Sequence, residues 1–85
     1  MLTLLRQTRL KVGDQLATTD ARGALITGVR IRDSKQILLR PNTRVRVIDF
    51  EILGWIDVEI LRGKRAGERV RLRPSDLALL RVRST

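Results

Sequence analysis

Apolar and polar residues alternate with a period of two through most of residues 44–73, and this pattern constrains the fold more than any other feature. In the stretch WIDVEIL, the residues Ile56, Val58 and Ile60 fall on one face and two acids fall on the other. In RVRLR, residues 69–73, two apolar residues face one way and three arginines face the other. A period of two is typical of β-strands with one buried face. The pattern therefore predicts adjoining antiparallel strands around an aliphatic core.

The alternation changes phase once, inside residues 44–52. Val45 and Val47 occupy odd positions, whereas Ile48, Phe50 and Ile52 occupy even ones. A change of phase inside one apolar run predicts a bulge or a sharp bend near Val47, as small barrels need in order to turn a corner. After the bend, the even-numbered apolar residues are expected to point into the core.

The first hairpin is predicted to turn through residues 53–55, with Gly54 supplying a positive φ. This turn keeps the acids out of the core, because it aligns the apolar faces of the two strands. The acids of both strands then face one another, which costs stability unless cations lie beside them. The predicted register pairs Ile52 with Ile56, Phe50 with Val58, Ile48 with Ile60, Glu51 with Asp57 and Asp49 with Glu59.

The second hairpin supplies the required cations. Aligning its apolar faces, with Ile60 beside Val70 and Val58 beside Leu72, brings its arginines next to the acids of the preceding strand. The hairpin tip, residues 62–68, lies beyond the reach of those acids, so its cations are available to a partner. The predicted ion pairs are Arg71 with Glu59 and Arg73 with Asp57.

Weaker signals predict the remaining elements. Strands are expected at residues 9–12, 25–32 and 37–39. The segment PSDL, residues 74–77, predicts a single helical turn capped by Ser75 or Asp76. Leu77 then closes one end of the fold before a last short strand. Within residues 25–32 the side chains predicted to share a face are those of Leu25, Thr27, Val29 and Ile31.

The order of hairpin, hairpin, one-turn helix with an Asp-Leu pair and short closing strand, over residues 44–83, resembles the second half of the Src-homology-3-like small β-barrels. That broad fold includes the KOW and Tudor-like modules. The resemblance implies an all-β fold, a small barrel of five to six short antiparallel strands with a one-turn helix before the last strand. Residues 1–85 are expected to form this single domain. A fold-level resemblance implies no particular function.

The composition argues against an enzyme. The chain has no histidine, cysteine or tyrosine, so the usual bases, nucleophiles and zinc ligands are missing. The carboxylates of residues 49–59 suggest either a site for acid-base work or a divalent ion, or an outer sheet face neutralised by Arg71 and Arg73. The second interpretation is favoured. We therefore expect no catalytic residues, no metal site and no cofactor.

The N-terminal stretch MLTLLR is too short and too soon interrupted by arginine to be a signal or membrane segment. A cytoplasmic location, or a virion-internal one if the chain is of phage origin, is the default expectation, with no membrane partner. The apolar residues of this stretch predict a homo-oligomer in which the N-terminal strand is added to a neighbouring chain. These residues are Met1, Leu2, Leu4 and Leu5.

The net charge of +9, from 18 basic and 9 acidic residues, favours a polyanionic partner. With Phe50 and Trp55 as the only aromatic residues, the chain cannot form an aromatic groove or cage for peptides. The sequence therefore predicts binding of DNA or RNA through the phosphate backbone, with little sequence specificity. The alternative is a structural or protein-interaction subunit, such as an assembly part of a phage particle or one that docks on an acidic protein surface. The candidate nucleic-acid-binding residues are Arg62, Lys64, Arg65, Arg69, Arg44, Arg46, Arg81 and Arg83.

Overall fold

The computed structural model describes residues 3–4 and 10–79, and it forms one antiparallel sheet of eight short strands. The order of the strands across the sheet is β1-β8-β2-β5-β6-β7-β3-β4. Single 3-10 turns span Ile52–Gly54 and Pro74–Asp76. The all-β class and the one-turn helix before the last strand are confirmed. The strands are β1 Thr3–Leu4, β2 Gln15–Thr18, β3 Ile26–Arg30, β4 Gln36–Leu39, β5 Arg44–Phe50, β6 Ile56–Ile60, β7 Arg69–Leu72 and β8 Leu77–Leu79.

The sheet is curled but not closed into a barrel. Within the described residues, β1 and β4 stand at its two ends and do not pair with each other. The hairpin of β3 and β4 is attached to the rest of the sheet through only two residue pairs, Val29 with Arg71 and Arg30 with Val70. β4 itself ends just before Pro41, which has no N–H to continue a ladder. The expected closure of the sheet into a barrel is therefore absent. The sheet has eight strands rather than the predicted five or six, because several of them are very short.

The core is aliphatic and draws on every strand from β2 to β8. The inward positions predicted for β6 and β7 are confirmed, because Ile56, Val58, Ile60, Val70 and Leu72 are all buried. Leu77 is completely buried directly after the second 3-10 turn, as predicted. The other buried apolar residues are Leu16, Ala17, Ile26, Ile37, Leu39, Val45, Val47 and Ala78. Among the described residues, no helix is long and apolar enough to cross a membrane.

The predicted bulge in β5 is present. The register against β6 shifts between Val47 and Asp49, which leaves Ile48 as the extra residue. Ile48 and Phe50 do not enter the core as predicted, and the side chain of Ile52 lies outside the described part of the structure. Phe50 is 44% exposed, because it pairs with Ile56 in the last pair before the turn, at the margin of the sheet.

The turn between β5 and β6 is longer than the predicted three residues. The Glu51 N–H donates to the carbonyl of Trp55 at 2.8 Å, which encloses the 3-10 turn. Leu53 and Gly54 both have positive φ, at 68° and 85°. The register of the first hairpin is thereby shifted by two residues next to the turn, where Phe50 lies opposite Ile56. Beyond the bulge the shift is three residues, and Val47 rather than Phe50 lies opposite Val58.

The second hairpin shows the same kind of shift. Val58 pairs with Val70, not with Leu72, because the Ile60 N–H donates to the carbonyl of Glu68 and shortens the loop. A shift of two residues leaves every side chain on its own face, so alternation alone cannot distinguish the two registers. As a result, Arg71 lies opposite Asp57 rather than Glu59.

The N-terminal half departs most from the sequence prediction. Residues 10–12 contain no strand, and the strand that pairs with β5 lies instead at Gln15–Thr18. In β3 the buried residues are Ile26 and Gly28, on the face opposite to the one that Thr27 and Val29 share. Gly28 has no side chain because a Cβ there would lie 2.5 Å from Cγ1 of Val70. The predicted strand at 37–39 is confirmed as β4.

Candidate nucleic-acid interface

The carboxylates of this protein form ion pairs and hydrogen bonds within the chain. All nine lie in the described part of the chain, and five of them form ion pairs with four arginines. The other four accept hydrogen bonds from backbone N–H groups, and they are Asp14, Asp20, Asp49 and Asp76. The ion pairs are Arg30 with Asp33 and Glu68, Arg46 with Glu59, Arg65 with Glu68, and Arg71 with Glu51 and Asp57.

Three of these carboxylates gather around one arginine at the bulged end of β5. Oxygens of Asp49, Glu51 and Asp57 lie within 4.8 Å of one another. Asp57 is buried, and Nε of Arg71 donates to its Oδ1 at 2.9 Å while Nη2 lies 3.3 Å from Oε1 of Glu51. A hydrogen bond from Glu51 to Asp57, together with the charge of Asp57, raises the pKa of Glu51. This cluster is the acidic surface expected from the sequence, with Arg71 as its internal countercharge.

Arg73 does not contribute to this neutralisation as predicted. Its guanidinium lies 5.2 Å from the centre of the Trp55 ring, in a cation–π contact at the other end of β6 from the hairpin tip. The reason is again the two-residue shift, which places Arg73 after the end of β7. Trp55 thus has one ring face occupied by its own chain.

A second charge network supports the base of the hairpin between β6 and β7. Arg30 donates to both carboxylate oxygens of Asp33 and, at 3.0 Å, to Glu68. These hydrogen bonds lower the pKa of Asp33 to about 2 and lower that of Glu68, while they raise the pKa of Arg30. Glu68 also accepts from Arg65 at 3.2 Å. Arg65 of the hairpin tip is therefore held in place by Glu68, which also pairs with Arg30.

The hairpin tip forms one wall of a concave site that we call the basic groove. It is a cavity of about 410 Å³ lined by β4, the turn after β4, the end of β6 and the tip. Gly63 and Gly67, with φ of 87° and 89°, allow the chain to turn at both ends of the tip. The lining residues are Leu38, Leu39, Arg40, Thr43, Ile60, Arg62, Gly63, Lys64 and Arg65.

The charge of the basic groove is of one sign. Four of its lining residues are cations, namely Arg40, Arg62, Lys64 and Arg65, and none of the lining residues is an acid. Only Arg65 among the four has an ion-pair partner within the described residues. Its apolar lining residues are Leu38 and Leu39 of β4 and Ile60 of β6, of which Leu38 alone is exposed; we call them the floor and the four cations the rim. The groove therefore combines an aliphatic floor with a cationic rim.

Arg40 is the functional candidate that sequence reasoning missed. It stands alone beside Pro41, so no cluster of charges marks it in the sequence. Its position depends on Thr18, a buried residue whose Oγ1 donates to the Arg40 carbonyl at 2.8 Å and accepts from the Thr43 N–H at 2.9 Å. The turn after β4 is thus attached to β2, and this brings Arg40 across from the hairpin tip.

The structure brings three of the eight predicted binding residues into the groove: Arg62, Lys64 and Arg65. Arg44 is exposed at the same end of the molecule, where its carbonyl accepts from the Leu61 N–H. Arg46 is paired with Glu59 at 2.7 Å, and Arg69 is exposed on β7, where it lines a separate cavity with Arg30, Ile31, Arg32, Gly67 and Glu68. Arg81 and Arg83 lie outside the described residues.

No known family model, curated protein or solved structure matches the chain.

Proposed function

We propose that this protein binds nucleic acid through the phosphate backbone, with the basic groove as its principal contact. The observation that carries the proposal is the convergence of Arg40, Arg62, Lys64 and Arg65 on one cavity with no acid in its lining. Arginine and lysine at this density are suited to phosphate oxygens, which give affinity without sequence information.

The distribution of the acids supports the same conclusion. Every carboxylate of the chain accepts from an arginine or a backbone N–H, and Glu68 alone among them pairs with a cation of the groove, Arg65. The excess of cations is therefore expressed on the surface rather than cancelled locally, and a surface of this kind attracts polyanions. Arg44 and Arg69 add exposed positive charge outside the groove.

The strand order is compatible with the resemblance to the Src-homology-3-like barrels. β8, β2, β5, β6 and β7 are successive neighbours, and the 3-10 turn Pro74–Asp76 precedes β8. Folds of this size host many functions, so the resemblance supports an expectation of a small binding module and nothing more specific. We expect no catalysis, because the histidine and cysteine that most often serve as bases and nucleophiles are missing from the sequence.

A structural or protein-interaction role is the second candidate, and one observation favours it. Within the described residues β4 pairs only with β3, so its outer edge is open, and unpaired edges are where chains add to one another. The N-terminal strand, expected to join a neighbour, pairs in this chain with β8, through Thr3 with Leu79 and Leu4 with Ala78. Sedimentation that shows a concentration-dependent oligomer, together with no nucleic-acid binding, would favour this candidate.

The test of the proposed function is a titration of the protein against labelled duplex DNA, single-stranded DNA and RNA at several salt concentrations. We expect binding to at least one of them at low salt, with an affinity that falls steeply as salt rises because counterions are released from the phosphates. Absence of binding to all three at low salt would overturn the proposal.

A further inference from the structure

The shape of the basic groove restricts which form of nucleic acid can enter it. The cations stand on a rim formed by residues 62–65 on one side and Arg40 on the other, around a floor of Leu38, Leu39 and Ile60. A concave site of this kind receives a ligand, whereas proteins that read a duplex insert a protruding helix or a two-stranded ribbon into its groove.

The volume of the cavity points the same way. About 410 Å³ lies within the range of sites for small ligands, roughly 300–1,000 Å³, and so suits a single nucleotide unit. A duplex is far wider than such a cavity, so it could contact only the rim. Only a strand that is not paired can place a sugar and base inside while its phosphates stay on the rim.

The floor provides a contact that a duplex cannot use. Leu38 is 54% exposed on β4, so it adds open aliphatic surface to a cavity that is also lined by cations. In a duplex the base faces are stacked on one another, whereas an unpaired nucleotide offers an apolar face to such a surface. The described lining contains no aromatic ring, so the contact is weak and does not discriminate among bases.

We propose that the basic groove binds single-stranded nucleic acid in preference to duplex, with one nucleotide seated against Leu38 and the neighbouring phosphates on Arg40, Arg62 and Lys64. This inference rests on the proposed function and specifies the partner of the same site. It assigns affinity to charge, and selectivity for the single strand to the shape and the aliphatic floor.

The first experiment compares a labelled oligothymidine with a blunt duplex of the same length, by fluorescence anisotropy at matched salt. We expect the single strand to bind at least about tenfold more tightly at moderate salt. If the duplex binds equally or more tightly, the inference is wrong and the proposed function stands. If neither binds at low salt, the proposed function fails as well.

The second experiment uses Leu38→Ser with Leu25→Ser as its matched control. Leu25 is 53% exposed and lines a different cavity, so the two substitutions remove equal aliphatic surface at different places. We expect Leu38→Ser to weaken binding of oligothymidine about fivefold, with no change for the duplex and none in the salt dependence. Leu25→Ser should change neither, and Leu38→Met, which keeps an aliphatic floor, should bind as the unchanged protein does. Equal losses for single strand and duplex in Leu38→Ser would overturn the assignment of Leu38.

Discussion

Arg71 lies directly opposite Asp57 on neighbouring strands, and its Nε donates a hydrogen bond to Asp57 Oδ1 at 2.9 Å. Asp57 is only 5% exposed, and two further carboxylates, those of Asp49 and Glu51, lie close to it. The arginine therefore compensates a cluster of three carboxylates, of which Asp57 alone is buried. Arg71 of β7 thus has a structural role, whereas Arg69, on the same face of the strand, is exposed.

Replacement of Arg71 is expected to destabilise the fold. Arg71→Gln leaves Asp57 buried without a cationic partner and beside like charges, which is costly in a region of low polarity. We expect the Tm to fall by roughly 10 °C. Arg69→Gln is the matched control on the same strand and should move the Tm by far less. Thermal unfolding followed by circular dichroism measures both, and similar shifts for the two variants would contradict the observed register.

The pH dependence of stability should carry the signature of Glu51. Its pKa is raised in the folded protein by Asp57, so the folded state favours the protonated form. The stability it contributes is present below its ordinary pKa of 4.5 and is lost as the pH rises through the raised value. Glu51→Gln should therefore raise the Tm at neutral pH, and the gain should shrink as the pH falls through the raised pKa and vanish below about 4.5.

Glu68→Gln is the control, because it should change the Tm at neutral pH in the opposite direction. The pKa of Glu68 is lowered by Arg30 and Arg65, so its contribution is present above 4.5 and is lost as the pH falls through the lowered value. This variant should have a lower Tm at neutral pH and a diminishing difference in acid. Thermal melts of both variants from neutral to acidic pH test the pair, and the same sign of change in both would refute it.

Thr18 should affect the basic groove from a distance. Thr18→Val keeps the shape of the side chain but removes the buried acceptor of the Thr43 N–H and one of two hydroxyl donors to the Arg40 carbonyl, the other being Thr43 Oγ1. We expect a loss of about 2 kcal/mol in the free energy of unfolding. Nucleic-acid affinity should fall too, because the turn that positions Arg40 is then held to β2 by its backbone hydrogen bonds, from the Thr18 N–H to Thr43 and from the Asn42 N–H to Thr18, without those of the Thr18 side chain. Thr27→Val, at an exposed strand position, is the control for both denaturant unfolding and binding, and it should change neither.

The charges of the groove are best tested by comparing two double variants that have the same net charge. Arg62→Gln with Lys64→Gln removes two cations from the rim, and Arg22→Gln with Lys35→Gln removes two exposed cations elsewhere. For a single strand, the slope of log affinity against log salt should become shallower by about 1.4 in the first variant, about 0.7 for each phosphate that is no longer neutralised. The second variant should keep the original slope. Equal changes in the two slopes would show that total charge, not the groove, governs binding.

The sequence predicts the faces of the strands well and their pairing less well. Alternation identified Val58, Val70 and Leu72 as inward, and the change of phase located the bulge near Val47. A slip by two residues preserves every face, so the registers of both hairpins depended on turn lengths that the sequence did not reveal. The burial of Asp57 was not predicted either, because alternation assigns it to the outer face and does not reveal that Arg71 and Glu51 lie close to it.

The candidate site was predicted in part. A local cluster of charges marks the hairpin tip, and the three cations from the tip that line the groove were all predicted from it. Arg40 joins them because its turn is attached to β2. The strand β2 was not predicted, since its short apolar segment, Leu16 and Ala17, shows little alternation. Thr18 and Arg40 are 22 residues apart, and no pattern among neighbouring residues in the sequence predicts a contact over that separation.

The basic groove presents charge of a single sign to its ligand, from three arginines and one lysine. A strand held there by its phosphates is sensitive to competing ions. Release of the strand is therefore governed by ionic strength or by a rival polyanion, so the groove acts as an electrostatic clamp that salt opens.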